Sequence, residues 1–225
     1  DDYAVLGLMG PDSASIADAL DAPELNAIGY FRAQQLQTRG IEVLAVRLSY
    51  VGEAGWEITV PVAEAEALYD LLYQAGARPA GTLAQTSMRI EKRFLALGHD
   101  LDTDVSPLQA GLGFAVAWKT DFIGKEALVA QRASGETNRI ISLVLDDADA
   151  VPLGNEPVYF EGRIAGKTTS ASFGYRVGKP IALADMSCAA AREPGAQVEI
   201  DIAGERFVAR VTVGAVFDPT GERMR

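Results

Sequence analysis

The chain has 225 residues, enough for one large domain or two small ones, and its 48% hydrophobic and 23% charged residues are an ordinary globular mixture. Its 20 basic and 31 acidic residues give a net charge of −11, which argues against nucleic acid and anionic membrane surfaces as partners. One cysteine and one histidine exclude a disulfide framework and Cys-based or His-rich metal sites, so no metal is predicted. Because no apolar run could span a bilayer, a soluble, cytoplasmic protein is predicted.

The first half of the chain contains strand signals on both sides of a glycine-containing turn. Gly52 and Gly55 lie between two strands and lack the following helix of a phosphate-binding loop, so they are predicted to form a hairpin turn. Side chains alternate along a strand, so Trp56 and Ile58 are expected on one face and Glu57 on the other. The predicted strands cover residues 4–8, 41–50 and 56–61.

Helices are predicted from the spacing of apolar residues. The clearest pattern covers residues 63–75 and ends at Gly76, a residue type that favours the left-handed conformation after a helix. Residues 21–40 carry no strong period. The other predicted helices cover residues 13–20, 83–94 and 125–133.

Beyond residue 138 the pattern changes to closely spaced strands with no helix between them. Glycine-containing pairs at residues 161–162 and 203–204 predict tight turns. The predicted strands cover residues 139–146, 157–161, 163–169, 181–186, 197–202 and 207–213. The predicted fold class is therefore α+β, with a lobe of antiparallel sheet and helices over residues 1–135, whose N-terminal part is expected to be missing from the sequence, and a small antiparallel β-barrel or jelly-roll domain over residues 136–225.

A loop rich in aspartate follows His99, the one histidine of the sequence. Asp100, Asp102 and Asp104 alternate along it and suggest a calcium site at first sight. The glycine and the distal glutamate of an EF-hand are missing, so a solvated acidic loop is predicted instead.

An ordered set of motifs resembles one enzyme family. Residues 50–57, Tyr-Val-Gly-Glu-Ala-Gly-Trp-Glu, match the Tyr-x-Gly-Glu-x-Gly-aromatic-Glu signature of the aminomethyltransferase family, which includes the T-protein of the glycine cleavage system. A single block would be a weak signal, whereas several blocks in family order are specific. The further blocks are Ser-Met-Arg-Ile-Glu-Lys at residues 87–92, Gly-His-Asp-Leu at 98–101, Ser-Pro-Leu-Gln-Ala-Gly-Leu at 106–112, Asp-Phe-Ile-Gly-Lys at 121–125 and Gly-Lys-Thr-Thr-Ser at 166–170.

Within that family the chain resembles the C-terminal half of dimethylglycine and sarcosine dehydrogenases, notably at residues 89–92, 154–157 and 166–170. Those proteins fuse an FAD-binding, amine-oxidising domain to a folate-binding region. The chain begins without Met, directly in an apolar stretch, and is expected to be a C-terminal piece of a longer polypeptide. It contains no Gly-x-Gly-x-x-Gly fingerprint after a strand, so the FAD is expected in an upstream domain of the same polypeptide, which would be this chain's partner.

The resemblance also implies which residues contact tetrahydrofolate, which family members bind in a central hole. Glu57 matches the family carboxylate that reads the pterin, whose amino group and ring N–H can both be accepted by one carboxylate. Tyr50 matches a tyrosine that lines the same site. Glu53, in the same turn, is expected to face solvent.

Three further positions correspond to family positions near the ligand. Gln85 stands where T-proteins carry the first arginine of an Ala-Arg-Asp-Ser-Leu-Arg helix, a departure that the dehydrogenase branch shares. Arg89 is expected to pair with a carboxylate, either that of Glu57 or that of the folate tail, and a structural ion pair is an equal alternative. Phe114 falls where the family often has an aromatic residue beside the ligand, with core packing as the alternative.

The family's catalytic aspartate has no counterpart in this sequence, because Asp1 and Asp2 precede the strand of the next block and do not match it. No catalytic residue is therefore assigned, and the chain alone is expected to be inactive. The function implied is folate binding in an FAD-linked N-demethylating oxidoreductase that passes a one-carbon unit to tetrahydrofolate. The alternatives are a fragment of a glycine cleavage aminomethyltransferase, working with a lipoyl carrier protein, and a catalytically silent regulatory protein of the same fold.

Overall fold

The computed structural model describes residues 2–135 and 137–225. Asp1, which was compared with the catalytic aspartate, and residue 136, the first of the predicted second domain, lie outside the described residues. The chain divides into two compact units, residues 1–85 together with 220–225, and residues 86–219. The domain boundary near residue 135 stays a prediction. Among the described residues, no helix is both long and apolar enough to cross a membrane.

Strands and helices alternate up to residue 134, and strands dominate thereafter. The elements in chain order are β1 (Tyr3–Met9), α1 (Ser13–Ala19), α2 (Glu24–Ala27), β2 (Ala33–Thr38), β3 (Ile41–Val46), β4 (Gly55–Pro61), α3 (Ala65–Gln74), α4 (Thr82–Glu91), α5 (Lys125–Ser134), β5 (Arg139–Leu145), β6 (Pro157–Phe160), β7 (Arg163–Gly174), β8 (Lys179–Met186), β9 (Gln197–Ile202) and β10 (Glu205–Thr212).

The first unit contains a four-stranded antiparallel sheet in the order β1-β4-β3-β2. One face of the sheet packs on helices, and its buried members include Trp56, Ile58 and Val60 of β4, as the alternation predicts. Helix α3 contributes Leu68 and Leu72 to the same core. Burial of these apolar side chains is the main force that holds the sheet and its helices together.

Two elements of this unit were not predicted from the sequence, the four-residue helix α2 and strand β2. The sequence of β2, Ala-Gln-Gln-Leu-Gln-Thr, is polar because β2 is an edge strand and most of its residues are exposed. An edge strand of this kind lacks the apolar alternation from which a strand is predicted. Strand β3 ends at Val46, earlier than predicted, because the following residues enter a turn that Ser49 organises.

The second unit contains a closed six-stranded barrel in the order β10-β5-β8-β7-β6-β9, and all its strand pairs are antiparallel. The predicted antiparallel barrel is thereby confirmed. Its interior is filled by apolar side chains that include Leu143, Val158, Met186 and Ile200. The hairpin turn at residues 161–162 has positive φ at both positions, 50° and 77°, as the two-residue turn between right-twisted strands requires.

Candidate functional site

The turn between β3 and β4, residues 49–55, carries the family signature and is held by one hydroxyl group. The Oγ of Ser49 accepts hydrogen bonds from the backbone N–H groups of Val51, Gly52 and Glu53 at 3.3, 3.0 and 3.2 Å. Gly52 has a φ of 77°, in the left-handed region that glycine adopts without strain. The sequence therefore specifies this turn with a small polar residue at its start and a glycine where the backbone turns left-handed.

Gly55 is required for a different reason, which is the close approach of β1. A Cβ at position 55 would lie 2.2 Å from the carbonyl oxygen of Leu8 and 2.6 Å from the Cα of Met9. The end of the turn is also fixed by the carbonyl of Ala54, which accepts hydrogen bonds from the Gly10 N–H at 2.9 Å. Both glycines of the hairpin turn predicted from the sequence are thus required by the backbone conformation of the turn and its close contact with β1.

Glu57 lies in the middle of β4, on the face opposite the core residues Trp56 and Ile58. Its side chain is half-buried, and within residues 2–135 and 137–225 no group donates a hydrogen bond to its carboxylate. The residues directly opposite in the neighbouring strands are Gly7 and Val46, neither of which has a polar side chain. A half-buried carboxylate with its acceptor sites free is a group that a ligand with paired N–H donors can occupy.

The other predicted ligand contacts have different surroundings. Tyr50 is half-buried beside Ser49 at the start of the turn, so Tyr50 and Glu57 flank the same turn. Gln85 is exposed in the first half of α4. Phe114 is 86% exposed, and the alternative that it packs in a core is therefore wrong. The ligand roles of these residues stay predictions.

Arg89, in the second unit, is part of a buried ion pair. Its Nη1 lies 2.5 Å from Oδ2 of Asp100, and the two side chains are 5% and 0% exposed. The guanidinium also donates to Ser170 Oγ at 2.8 Å and to the carbonyl of Phe94 at 3.0 Å. The other oxygen of Asp100 accepts a hydrogen bond from Thr169 Oγ1 at 2.5 Å.

This network corrects the interpretation of the aspartate-rich loop. Asp102 and Asp104 are exposed as expected, but Asp100 is buried and is the carboxylate that Arg89 contacts. The geometry corresponds to the structural ion pair that was one alternative for Arg89, and a contact of Arg89 with folate stays a prediction. The sequence signal for a special role of Asp100 was its place in the Gly-His-Asp-Leu block. The interpretation of the segment as a solvated loop did not use that signal.

Two more charged residues at the end of α4 are buried in the same unit. The carboxylate of Glu91 accepts hydrogen bonds from the backbone N–H groups of Arg176 and Val177 at 2.7 and 3.1 Å and forms an ion pair with the Arg176 guanidinium. Lys92 contacts Asp218, with Nζ 3.1 Å from Oδ2. The block at residues 87–92 therefore anchors loops of the barrel unit by charge pairs, a role that the sequence analysis did not assign.

Glu53 also departs from expectation. It is 7% exposed rather than solvent-facing, and Arg223 Nε lies 2.9 and 3.1 Å from its two carboxylate oxygens. Both residues belong to the first unit. The sequence signal was the place of Glu53 in the Tyr-x-Gly-Glu-x-Gly pattern, but the partner lies 170 positions away and cannot be identified from the turn alone.

A groove of about 760 Å³ lies on the outer face of the four-stranded sheet. Tyr3, Gln35, Leu44 and Thr59 are among the residues that line it, whereas Glu57 and Tyr50 do not. Among the described residues that line the groove, Tyr3 and Glu42 are the titratable ones, which is no cluster, so the candidate site is the signature turn with Glu57. Among the described residues, no group of His, Cys, Asp and Glu side chains is arranged to hold a metal ion.

Two family models match the chain. The GCVT N-terminal domain matches residues 1–120, and the glycine cleavage T-protein C-terminal barrel domain matches residues 138–218. The second match contains all six strands of the closed barrel. A solved structure, the glycine cleavage system aminomethyltransferase T from Bartonella henselae, superimposes with a TM-score of 0.86 at 24% identity, over 96% of this chain and 60% of that one. That likeness shows that the fold is shared.

Sequence relatives include both branches of the family. The mitochondrial dimethylglycine dehydrogenase of Homo sapiens is 34% identical over all of this chain and 27% of its own length, and the mitochondrial sarcosine dehydrogenase of Mus musculus is 37% identical over all of this chain and 26% of its own. An aminomethyltransferase of Methylococcus capsulatus is 37% identical over 94% of this chain and 60% of its own length. The chain thus spans about a quarter of these dehydrogenases. On the family models and these relatives together, it belongs to the aminomethyltransferase family of the glycine cleavage T-protein.

Proposed function

We propose that this chain binds tetrahydrofolate and forms the C-terminal part of an FAD-linked N-demethylating oxidoreductase that passes a one-carbon unit to the folate. One observation carries the proposal: the half-buried carboxylate of Glu57 follows the signature turn and accepts no hydrogen bond from any described residue. Family membership and the dehydrogenase relatives support it.

The surroundings of Glu57 fit a pterin. A pterin presents an amino group and a ring N–H side by side, and the two oxygens of one carboxylate can accept both hydrogen bonds. Gly7 on β1 lies directly opposite Glu57 and has no side chain to cover the carboxylate. Partial burial strengthens such charge-assisted hydrogen bonds because less water competes for the carboxylate. Tyr50, at the other end of the turn, offers a ring for stacking and a hydroxyl.

When bound, tetrahydrofolate supplies the nitrogen atoms that take up the one-carbon unit. The contribution of this chain is to bind the pterin through Glu57 and to limit its orientations with Tyr50. Holding an acceptor in one orientation next to a reactive carbon accelerates transfer by proximity, without proton transfer by the residues that bind it. No residue of the chain is given a catalytic role in this proposal.

In this proposal the FAD is bound by another domain of the parent polypeptide. The support is that the 225 residues contain no dinucleotide fingerprint after a strand and that the chain spans 27% and 26% of the two dehydrogenase relatives. The rival proposal is a glycine cleavage aminomethyltransferase, supported by the Methylococcus capsulatus relative at 37% identity. Gln85 favours the dehydrogenase, since an amide cannot supply the charge of the arginine that T-proteins carry there.

Calorimetric titration tests the proposal with two ligands. Tetrahydrofolate is titrated anaerobically into the purified protein, and p-aminobenzoylglutamate, which has the folate tail but no pterin, serves as the matched control ligand. We expect saturable binding of tetrahydrofolate and at least tenfold weaker binding of the control, a difference of about 1.4 kcal/mol or more. Equal affinity for the two ligands, or no binding of tetrahydrofolate at millimolar concentration, would overturn the proposal.

A further inference from the structure

The signature turn is tied to residues 220–225 by a charge pair that lies within the first unit. Arg223 Nε donates to both carboxylate oxygens of Glu53, at 2.9 Å to Oε2 and 3.1 Å to Oε1. The Glu53 side chain is 9% exposed and the Arg223 side chain is 49% exposed. The carboxylate is therefore the buried member of the pair, and Arg223 reaches it from the surface.

The rest of the turn is fixed at its two ends. At one end the Ser49 hydroxyl accepts hydrogen bonds from the backbone N–H groups of residues 51–53. At the other end the carbonyl of Ala54 accepts hydrogen bonds from the Gly10 N–H at 2.9 Å and from Ser13 Oγ at 3.1 Å. Glu53 lies between these two anchors. The contact of its carboxylate with Arg223, a residue outside the turn, therefore fixes the middle of the turn.

Arg223 is itself held in place by its segment. Gly221 is buried with a φ of 69°, which begins the short helical turn Glu222–Met224. The Tyr30 hydroxyl contacts Met224 Sδ at 3.8 Å, so the residue after Arg223 also packs on the first unit. An arginine delivered by an anchored segment loses less conformational entropy on pairing than one on a free chain.

Half-exposed ion pairs are usually weak, and the burial of Glu53 is what distinguishes this one. Removal of Arg223 takes a guanidinium that contacts both oxygens away from a carboxylate that is nine-tenths buried, and weaker compensation of a buried charge is unfavourable. The turn can relieve that cost by moving Glu53 towards water. Glu53 lies four residues before Glu57, so such a movement displaces the start of β4 at Gly55 and the residues next to Tyr50.

We infer that Arg223 is a positioning residue for folate recognition: through Glu53 it holds the turn of residues 49–55 in the conformation that presents Tyr50 and Glu57 to the pterin. The inference rests on the proposed function. It adds a residue from a different part of the sequence to the site, and Arg223 acts there through Glu53 without a contact of its own with the ligand.

The test compares Arg223→Met with Arg39→Met. Methionine keeps much of the length of arginine and removes its charge. Arg39 is a matched control because its side chain is also 49% exposed and pairs with Asp21, but that partner is 72% exposed and lies outside the signature turn. Two quantities are measured for each protein: the dissociation constant for tetrahydrofolate, and the hydrogen exchange of the amides of residues 49–55.

For Arg223→Met we expect the dissociation constant to rise about tenfold, which corresponds to ~1.4 kcal/mol, and exchange in the turn to accelerate. Arg39→Met is expected to leave both quantities unchanged. Arg223→Lys should recover part of the affinity because it restores a positive charge without the guanidinium geometry. The double variant Glu53→Gln/Arg223→Met should bind no more weakly than the worse single variant, because both changes break the same contact.

The failure of the inference and the failure of the proposed function are distinguishable. If the unmodified protein binds tetrahydrofolate and Arg223→Met binds it equally well, the positioning role is overturned and the proposed function stands. If the unmodified protein binds no tetrahydrofolate, the proposed function fails, and the positioning role fails with it. Faster exchange in the turn with unchanged affinity also overturns the inference, since the pair would then stabilise the turn without serving the ligand.

Discussion

Arg89 of α4 and Asp100 of the loop that follows it are joined by an ion pair that is almost completely removed from water. The Nη1–Oδ2 distance is 2.5 Å, and the side chains are 5% and 0% exposed. Each partner has further hydrogen bonds, Arg89 to Ser170 and Asp100 to Thr169 and the Ala96 N–H. A buried pair is tolerated when its remaining donors and acceptors are satisfied in this way.

The first prediction is that Asp100→Asn strongly destabilises the protein. The amide retains the size of the side chain but leaves the guanidinium of Arg89 buried without its counter-charge. Loss of one partner from a buried pair costs about 3–5 kcal/mol, and we expect the free energy of unfolding in urea to fall by that amount. The matched control is Asp21→Asn, which removes a carboxylate from the exposed pair with Arg39 and should cost less than about 1 kcal/mol. Equal effects of the two changes would contradict a structural role for the Arg89–Asp100 pair.

The second prediction is that Glu57→Gln weakens tetrahydrofolate binding and leaves the fold intact. Glutamine keeps the shape of the side chain but replaces one acceptor oxygen with an NH₂ that faces the donors of the pterin. An unpaired donor at the ligand costs on the order of 1–3 kcal/mol, so the dissociation constant should rise about tenfold or more. The urea unfolding midpoint should hardly change, because no described residue donates to this carboxylate.

The control for Glu57→Gln is Glu42→Gln. Glu42 is an exposed glutamate of β3 and lies on the same face of the sheet, because Val46, directly opposite Glu57, is four residues along that strand. Glu53→Gln is unsuitable, since Glu53 is buried and paired. We expect calorimetric titration to give the same tetrahydrofolate affinity for Glu42→Gln and the unmodified protein. An unchanged affinity for Glu57→Gln would make Glu57 an ordinary surface carboxylate.

The third prediction concerns the close approach of β1 and β4. Gly55→Ala places a Cβ 2.2 Å from the Leu8 carbonyl oxygen, and a backbone atom cannot move aside as a flexible side chain can. The two strands must separate, and we expect a loss of about 3 kcal/mol or more in the free energy of unfolding. In Gly7→Ala, the control on β1, the new Cβ meets only the end of the Met9 side chain at 3.8 Å. That variant should be neutral or slightly more stable, and a similar loss in both would refute the backbone clash.

The fourth prediction is a stabilising change in the β6–β7 hairpin. Glu161 has a φ of 50°, a conformation that is unfavourable for glutamate and that asparagine adopts readily before glycine in a two-residue turn. Glu161→Asn should therefore stabilise the protein by about 0.5–1 kcal/mol and raise the melting temperature by roughly 1–4 °C. Glu193→Asn is the control, because Glu193 is also exposed but has a φ of −68° and offers no such gain. A melting temperature that does not rise for Glu161→Asn would count against the hairpin geometry.

Much of the local structure could be predicted from the sequence, because it depends on neighbouring residues. The apolar spacing of α3, Gly76 after that helix and the alternation of Trp56 and Ile58 around Glu57 are all local signals, and each is confirmed. The strands of the barrel and its tight turns were predictable for the same reason. The family could be predicted because several short motifs occur in the order that is typical of it.

What only the tertiary structure decided is which charged and aromatic residues are buried. Asp100 has the sequence context of a solvated loop, and Phe114 that of a core residue, yet Asp100 is 2% exposed and Phe114 is 86% exposed. Burial depends on segments that pack over a residue from far along the chain: Arg89 contacts Ser170, 81 positions away, and Glu53 contacts Arg223, 170 positions away. Short-range patterns carry no information on such contacts. The periodicity of a strand or helix indicates which side of the element faces a core, but it does not indicate which distant residue pairs with a buried charge.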